Sequence, residues 1–218
     1  MTRVRIKMCG TTRAEDAACA VNLGIDALGF IFAEKSPRCV TPEQAAILIA
    51  ALPPFVSRVG VFVNESLDTI ESVAGTAGLT AIQLHGHESP EFCRELKKRQ
   101  RALSVCKAFS IGKEHELPAI AGYTDTVDAV LLDTYAKGQG GGTGKTFDWG
   151  CIEELGIAVP LILAGGLNPE NIEKAVRMVR PFAVDINSGV EDAPGIKNHR
   201  LLADLVGRVR QLETKTAK

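Results

Sequence analysis

The chain has 218 residues, 45% of them hydrophobic, which is enough for one substantial core and would leave two domains each small. Its 25 basic and 26 acidic residues give a formal charge of -1 without a long block of either sign, so nothing electrostatic points to nucleic acid or an anionic membrane. The first residues lack an apolar segment with a cleavage site, no apolar run is long enough to span a bilayer, and six scattered cysteines show no C-x-x-C or metal-ligand spacing. These features together predict a cytoplasmic protein with reduced thiols and no metal.

The first strand is predicted over 3–9, where Val4-Arg5-Ile6-Lys7-Met8-Cys9 alternates an apolar even face with an odd face of Arg, Lys and Cys. Further strand-like runs follow at 26–32, 56–63, 80–84, 103–109, 127–133, 160–164 and 182–187. Between them, Thr12 to Leu23, Thr41 to Ala51, Ser66 to Thr76 and Ser89 to Arg101 open on Ser or Thr near an acidic residue. That is a helix N-cap signature, and Pro42 and Pro90 sit where a first helical residue would. A weak helical pattern lies near 114–121, a further helix follows Pro169, and a last one spans Lys197 to about Glu213, beyond which Glu213 to Lys218 is expected to fray. Eight strands alternating with helices predict a (β/α)8 barrel, a single domain over residues 1–218. A doubly wound open sheet shares the alternation, but no G-x-G-x-x-G opens the first helix and no run reads as an edge strand.

If the odd face of strand one points into the barrel, Cys9 stands at the strand's C-terminal end, where barrel enzymes place their chemistry. Lys7 lies beneath it to favour a thiolate. Read alone, Cys9 also fits a small buried hydrophobe. Asp133 ends the apolar run of strand six and reaches the same rim from nearly the opposite side; a thiolate and a carboxylic acid facing each other across a substrate can move a proton between two of its atoms. Asp133 also fits a cap or an ion-pair partner. Arg38, in Lys35-Ser36-Pro37-Arg38 after strand two, suits a substrate carboxylate or a solvated loop. His85 after strand four is a candidate for orienting substrate, and Asp185 on strand eight is a partner for Lys7 or Arg5.

Three glycine clusters follow the last three strands. Lys137 to Thr146 resembles a phosphate-binding P-loop, but G-x-x-x-x-G-K-[ST] would need glycine at Gln139, so only an anion-friendly loop survives. Ala164-Gly165-Gly166-Leu167 after strand seven and Asn187-Ser188-Gly189-Val190-Glu191 after strand eight stand where barrels build phosphate sites, which favours a small phosphorylated substrate.

Taken in order, these segments resemble the phosphoribosylanthranilate isomerases of tryptophan biosynthesis. The likeness also includes Ala27 to Phe32, Val59 to Asn64, Gln83 to Gly86, Leu132-Asp133-Thr134 and Gly141 to Trp149, and so runs nearly the whole chain. The resemblance implies a cofactor-free Amadori rearrangement on a (β/α)8 barrel, with Asp133 as general acid and Cys9 as general base. It implies that Arg38 holds the anthranilate carboxylate and that Gly142, Thr143, Gly144, Gly165, Gly166, Ser188 and Gly189 hold the phosphate. Lys7, His85 and Asp185 complete the substrate-binding set. The chain departs at Met8, where the family commonly has Ile or Val, and at Asn187, where it often has Ser. A barrel lyase such as indole-glycerol-phosphate synthase would share the phosphate site but want a Lys/Glu acid–base set, and a non-catalytic phosphate-binding barrel would be indifferent to Cys9 alkylation. Whether a related aminoimidazole ribotide is also isomerised, and whether the protein is a monomer or homodimer, stay open at this level.

Overall fold

The computed structural model describes residues 3–111, 120–133, 152 and 155–215. Eight parallel strands form a closed barrel in chain order: β1 (Arg5–Met8), β2 (Ala27–Ile31), β3 (Ser57–Phe62), β4 (Ala81–Leu84), β5 (Ser104–Ser110), β6 (Ala129–Asp133), β7 (Leu161–Ala164) and β8 (Ala183–Ile186). β8 pairs back onto β1, with Lys7 opposite Asp185 in the ladder. The (β/α)8 barrel expected from the alternation is therefore the architecture, in one domain, and each strand lies within a residue of its predicted run.

The even face of β1 does what its pattern implies: Val4, Ile6 and Met8 are buried in the layer between barrel and helices, together with Leu28, Phe30, Phe62, Leu84 and Leu132. Met8 has no exposed surface, so its departure from the commoner Ile or Val concerns packing of that outer layer alone. The barrel interior holds smaller groups, among them Cys106, Ala108, Leu131 and Ala164 in one cluster and Cys9, Ile31 and Val61 in another.

The helices start where the side chains can satisfy their first amides. In α2 (Pro42–Ala50), Thr41 accepts from the Gln44 amide and the Gln44 side chain accepts from the Thr41 amide, closing a capping box. The Ser66 side chain caps α3 (Leu67–Ala77) by accepting from the Thr69 amide, and that of Ser89 caps α4 (Pro90–Arg99) by accepting from the Phe92 amide. The first helix differs from expectation: α1 (Ala14–Asn22) has Arg13 at its N-cap without a side-chain bond, because the Thr12 hydroxyl donates to the Gly195 carbonyl instead. After Pro169 comes α5 (Ile172–Val179), and α6 (His199–Lys215) closes the chain. Glu213 is fixed rather than frayed, accepting from the Val4 amide at 2.9 Å and pairing with Arg210, while residues 216–218 lie outside the described residues. Most of the weak helical pattern near 114–121 also lies outside them, and Ile120–Tyr123 forms a short 3-10 helix.

Two features had no counterpart in the sequence reading. A small hairpin of β9 (Glu191–Ala193) and β10 (Ile196–Lys197) stands between β8 and α6. Lys107 lies on the apolar, outward face of β5 and is nonetheless buried, 3.2 Å from Glu88, donating to the carbonyls of Gly86 (2.8 Å) and Ala108 (2.9 Å). Glu88 in turn accepts from the amides of Asn64 and Gly86, so this pair fastens together the loops that follow β3 and β4. Among the described residues no helix is long and apolar enough to cross a membrane.

Candidate active site

A cavity opens at the C-terminal end of the barrel, where residues at or just past the strand ends converge. Cys9 after β1, His85 after β4, Asp133 at the end of β6, Gly165 and Gly166 after β7, and Ser188 and Gly189 after β8 all line it, with Asp185 and Gln83 contributed by the strands themselves. Ile31, Val61 and Leu167 supply apolar wall. β1 and β6 are separated by β7 and β8 on one side and by four strands on the other, so Cys9 and Asp133 enter from different sides of a common space. Gly142, Thr143 and Gly144 lie outside the described residues, as do Lys145 to Trp149 and Cys151.

Room for the pair beneath Cys9 comes from the neighbouring strand. A Cβ at Gly29 would lie 2.9 Å from the Cys9 sulfur and 3.0 Å from the Lys7 ammonium nitrogen, so only glycine fits there while both keep their places. Lys7 Nζ donates to Asp185 Oδ2 at 2.8 Å, with both residues buried. Asp185 therefore pairs with Lys7; Arg5 instead stacks over the Phe182 ring. Burial by itself would lower the Lys7 pKa, but Asp185 and Cys9 outweigh it and hold it above the ordinary lysine range. At Cys9 the balance runs against the sequence expectation. Burial pushes the thiol pKa up, and Lys7, though it works to lower it, does not overcome that, so the resting group is a thiol rather than a stabilised thiolate.

His85 faces Asp133, its Nε2 3.7 Å from Oδ2, and its Nδ1 lies 3.2 Å from Gln83 Nε2. An amide N–H donated to Nδ1 puts the ring proton on Nε2, the nitrogen turned to Asp133. Burial lowers the His85 pKa, with the Asp133 charge opposing it, so the ring is neutral near pH 7. Gln83 belongs to the site although the sequence reading gave it no role. The signal was present in its position, two residues before His85 on the same inward face of β4.

The two described glycine segments come together tightly. Gly165 and Gly166 both have positive φ, 93° and 62°, and a Cβ at Gly189 would collide with the Leu167 carbonyl oxygen. Ser188 opens a short 3-10 turn, Ser188–Val190. This is a corner between β7 and β8 in which three glycines, Gly165, Gly166 and Gly189, leave backbone open to an anion.

Arg38 is the residue whose setting differs most from a solvated loop cation. Its Nε and Nη2 both bond to Glu191, at 2.9 Å and 2.5 Å. Glu191 also accepts from Lys197 Nζ at 2.7 Å, and Lys197, fully buried, reaches Asn187 Oδ1 at 2.9 Å. Asn187, the second departure from the family pattern, thus uses its longer side chain to meet Lys197 at the cavity edge. The bond to Glu191 raises the Arg38 pKa further, and burial lowers that of Lys197 against the pull of Glu191. Among the described residues no group of three or more His, Cys, Asp or Glu side chains is arranged to hold a metal ion.

A sequence model of the family described as "N-(5'phosphoribosyl)anthranilate (PRA) isomerase" matches residues 6–208. The chain is similar to the N-(5'-phosphoribosyl)anthranilate isomerase of Thermotoga neapolitana, 48% identical over 210 residues that cover 96% of this chain and all of the relative. Among solved structures it resembles the phosphoribosyl anthranilate isomerase of Thermotoga maritima, with TM-score 0.86, 43% identity, and 95% of this chain and 99% of that one covered. A phosphoribosyl anthranilate isomerase in complex with reduced 1-(o-carboxyphenylamino)-1-deoxyribulose 5-phosphate gives TM-score 0.84 at 41% identity, with the same shares covered.

Proposed function

The chain belongs to the N-(5'-phosphoribosyl)anthranilate isomerase family, and we propose that it converts N-(5'-phosphoribosyl)anthranilate to 1-(2-carboxyphenylamino)-1-deoxyribulose 5-phosphate in tryptophan biosynthesis. The reaction is an intramolecular redox change, an aldose becoming a ketose, and proton transfers suffice for it. Asp133 donates to the furanose ring oxygen; the C1–O bond breaks as the nitrogen lone pair forms C1=N. Cys9, ionised, takes the C2 proton, and those electrons become the C1=C2 bond of an enolamine. Loss of the C2 hydroxyl proton and protonation at C1 then give the ketone, so no electrons leave the substrate and no cofactor is called for.

The observation that carries this reading is the shared cavity of Cys9 and Asp133 above the Lys7–Asp185 pair. Because burial raises the Cys9 thiol, the base depends on Lys7 to make its ionised form accessible. Asp185 Oδ1, buried at the cavity and without a partner among the described residues, is the acceptor left for a ribose hydroxyl. The corner of Gly165, Gly166, Ser188 and Gly189 holds the phosphate, in company with Gly142, Thr143 and Gly144. His85 orients the acid, Ile31 and Val61 flank the aryl ring, and Arg38 holds its carboxylate. The enzyme works in the cytoplasm, as a monomer or homodimer, on this small phosphorylated ligand.

The test is the decay of fluorescence when purified protein is added to enzymatically generated phosphoribosylanthranilate. Wild type should consume it, and Cys9→Ala should lose about 10²–10⁴-fold in kcat, the range for one positioned general base. A Cys9→Ala variant within a few-fold of wild type would make Cys9 a packing residue.

A further inference from the structure

We propose that Glu191, backed by Lys197, is the positioning residue that aims Arg38 at the ligand carboxylate and keeps its charge available. The proposal rests on the reading above that Arg38 meets that carboxylate. Arg38 comes from the loop after β2, and Glu191 and Lys197 from the two strands of the β9–β10 hairpin. A guanidinium has two edges that can each grip a carboxylate through parallel N–H bonds. Glu191 takes the edge formed by Nε and Nη2. The remaining edge, Nη1 with the second Nη2 hydrogen, is left for a second carboxylate, and no hydrogen bond engages Nη1 among the described residues.

Where the clamp sits explains why it serves the cavity. The Arg38 stem crosses Gly10, the residue after Cys9; a Cβ there would lie 2.6 Å from Arg38 Cδ. Lys197 in turn bonds Asn187, which lines the cavity. Charge decides the rest. Glu191 alone would neutralise Arg38 and leave nothing to attract an anion, but Lys197 Nζ, at 2.7 Å, compensates that carboxylate. The three side chains sum to one positive charge, and Arg38 is the more exposed of its pair, 16% against 3% for Glu191. A flexible, solvated arginine would pay rotamer entropy on meeting the ligand; a clamped one has already lost it.

The experiment compares two ligands by calorimetry: reduced 1-(o-carboxyphenylamino)-1-deoxyribulose 5-phosphate and its anilino counterpart without the carboxylate. Wild type should prefer the first by about ten- to a hundredfold, the range for a hydrogen bond to a charged group. Arg38→Ala should erase the preference. Glu191→Gln should cut it by at least about fivefold while leaving the affinity for the anilino ligand within about twofold, because the site itself is intact. Lys197→Met, which leaves Glu191 uncompensated on Arg38, should cut it likewise, and it carries the test should Glu191→Gln not fold. A wild-type preference retained in both variants, with Arg38→Ala losing it, overturns the proposal but not the role of Arg38. Equal losses for both ligands would make the clamp purely structural and overturn it too. A preference that survives Arg38→Ala means the carboxylate is held elsewhere, and the underlying reading fails.

Discussion

Lys7 Nζ and Asp185 Oδ2 meet at 2.8 Å inside the barrel beside Cys9, and after burial this ion pair acts most strongly on the thiol. Lys7 lowers the thiol pKa and Asp185 raises it, so removing either partner moves Cys9 in a definite direction. In Lys7→Met, burial and Asp185 are opposed only by the weaker pull of Lys197, and the thiol pKa rises further. Alkylation of the Cys9 peptide by iodoacetamide, followed by mass spectrometry because Cys39 is exposed, should then shift to higher pH. Leaving Asp185 buried and unpaired should cost about 3–5 kcal/mol of stability. Adding Asp185→Leu should restore much of that stability without restoring Lys7's effect on the alkylation profile. An unchanged profile in Lys7→Met would show that Lys7 does not act on Cys9.

The same raised pKa carries a stability signature. A thiol that binds its proton more tightly folded than unfolded contributes stability that is present below the unfolded cysteine pKa and is lost as pH rises through the folded value. Wild type should therefore lose more stability on the alkaline side than Cys9→Ala does. Urea midpoints measured across that range in both proteins provide the check, and parallel curves would argue against a perturbed Cys9.

Gly29 is the space that β2 leaves for this chemistry. In Gly29→Ala the new Cβ meets the Cys9 sulfur at 2.9 Å and the Cys9 Cα at 3.1 Å, so relief requires moving the backbone just after β1 as well as a side chain. Overpacking of this kind costs about 1–3 kcal/mol, and a displaced reacting group loses on the order of 10²-fold in rate. Expected together are a lower melting temperature and a collapse of kcat, with the affinity for inorganic phosphate kept. A kcat within twofold of wild type would mean that Cys9 need not hold this position.

How far the sequence reached follows from the range of each interaction. The eight strands were legible because alternation and helix caps such as Thr41 with Gln44 are local signals. Cys9, Lys7 and Asp185 were legible because parity along a strand assigns each to a face. Arg38 was legible as a cation on the loop after β2, but its partner Glu191 lies 153 residues away, and no spacing rule connects them. The β9–β10 hairpin has strands of three and two residues, too short for any period to register. Lys107 misleads for the opposite reason: a lysine on an apolar face reads as solvated, whereas three carbonyls and Glu88 satisfy it in the interior. That Lys7 lowers the Cys9 pKa was legible and that burial raises it more was not, because charge proximity is visible in sequence and the depth of burial is not.

Gly189 tests the anion corner. Gly189→Ala drives a methyl group into the Leu167 carbonyl, which forces the segments after β7 and β8 apart. Inhibition by inorganic phosphate should weaken by at least about tenfold, one charge-assisted hydrogen bond's worth, with Cys9 alkylation unchanged. Phosphate inhibition as strong as in wild type would move the phosphate away from this corner.

Asp133→Asn addresses the acid and the pH profile together. In the proposed mechanism turnover needs Cys9 ionised while Asp133 still carries its proton, so wild-type kcat/KM should fall at high pH, whichever of the two groups ionises first. If the carboxyl ionises first, the active form is a minority, its fraction stays level between the two ionisations, and the fall then follows the ionisation of Cys9. If the thiol ionises first, the fall tracks the carboxyl group directly. Asparagine has no proton to lose and none to give. The variant should drop about 10²–10⁴-fold near neutrality, and its residual rate should climb through the raised thiol pKa to a plateau with no descending limb. His85, neutral and turned toward this position, is left to a role in orientation. If the descending limb persists in Asp133→Asn, with activity within about tenfold of wild type, then the donor is another group, and a water or the substrate's own phosphate takes the place of Asp133.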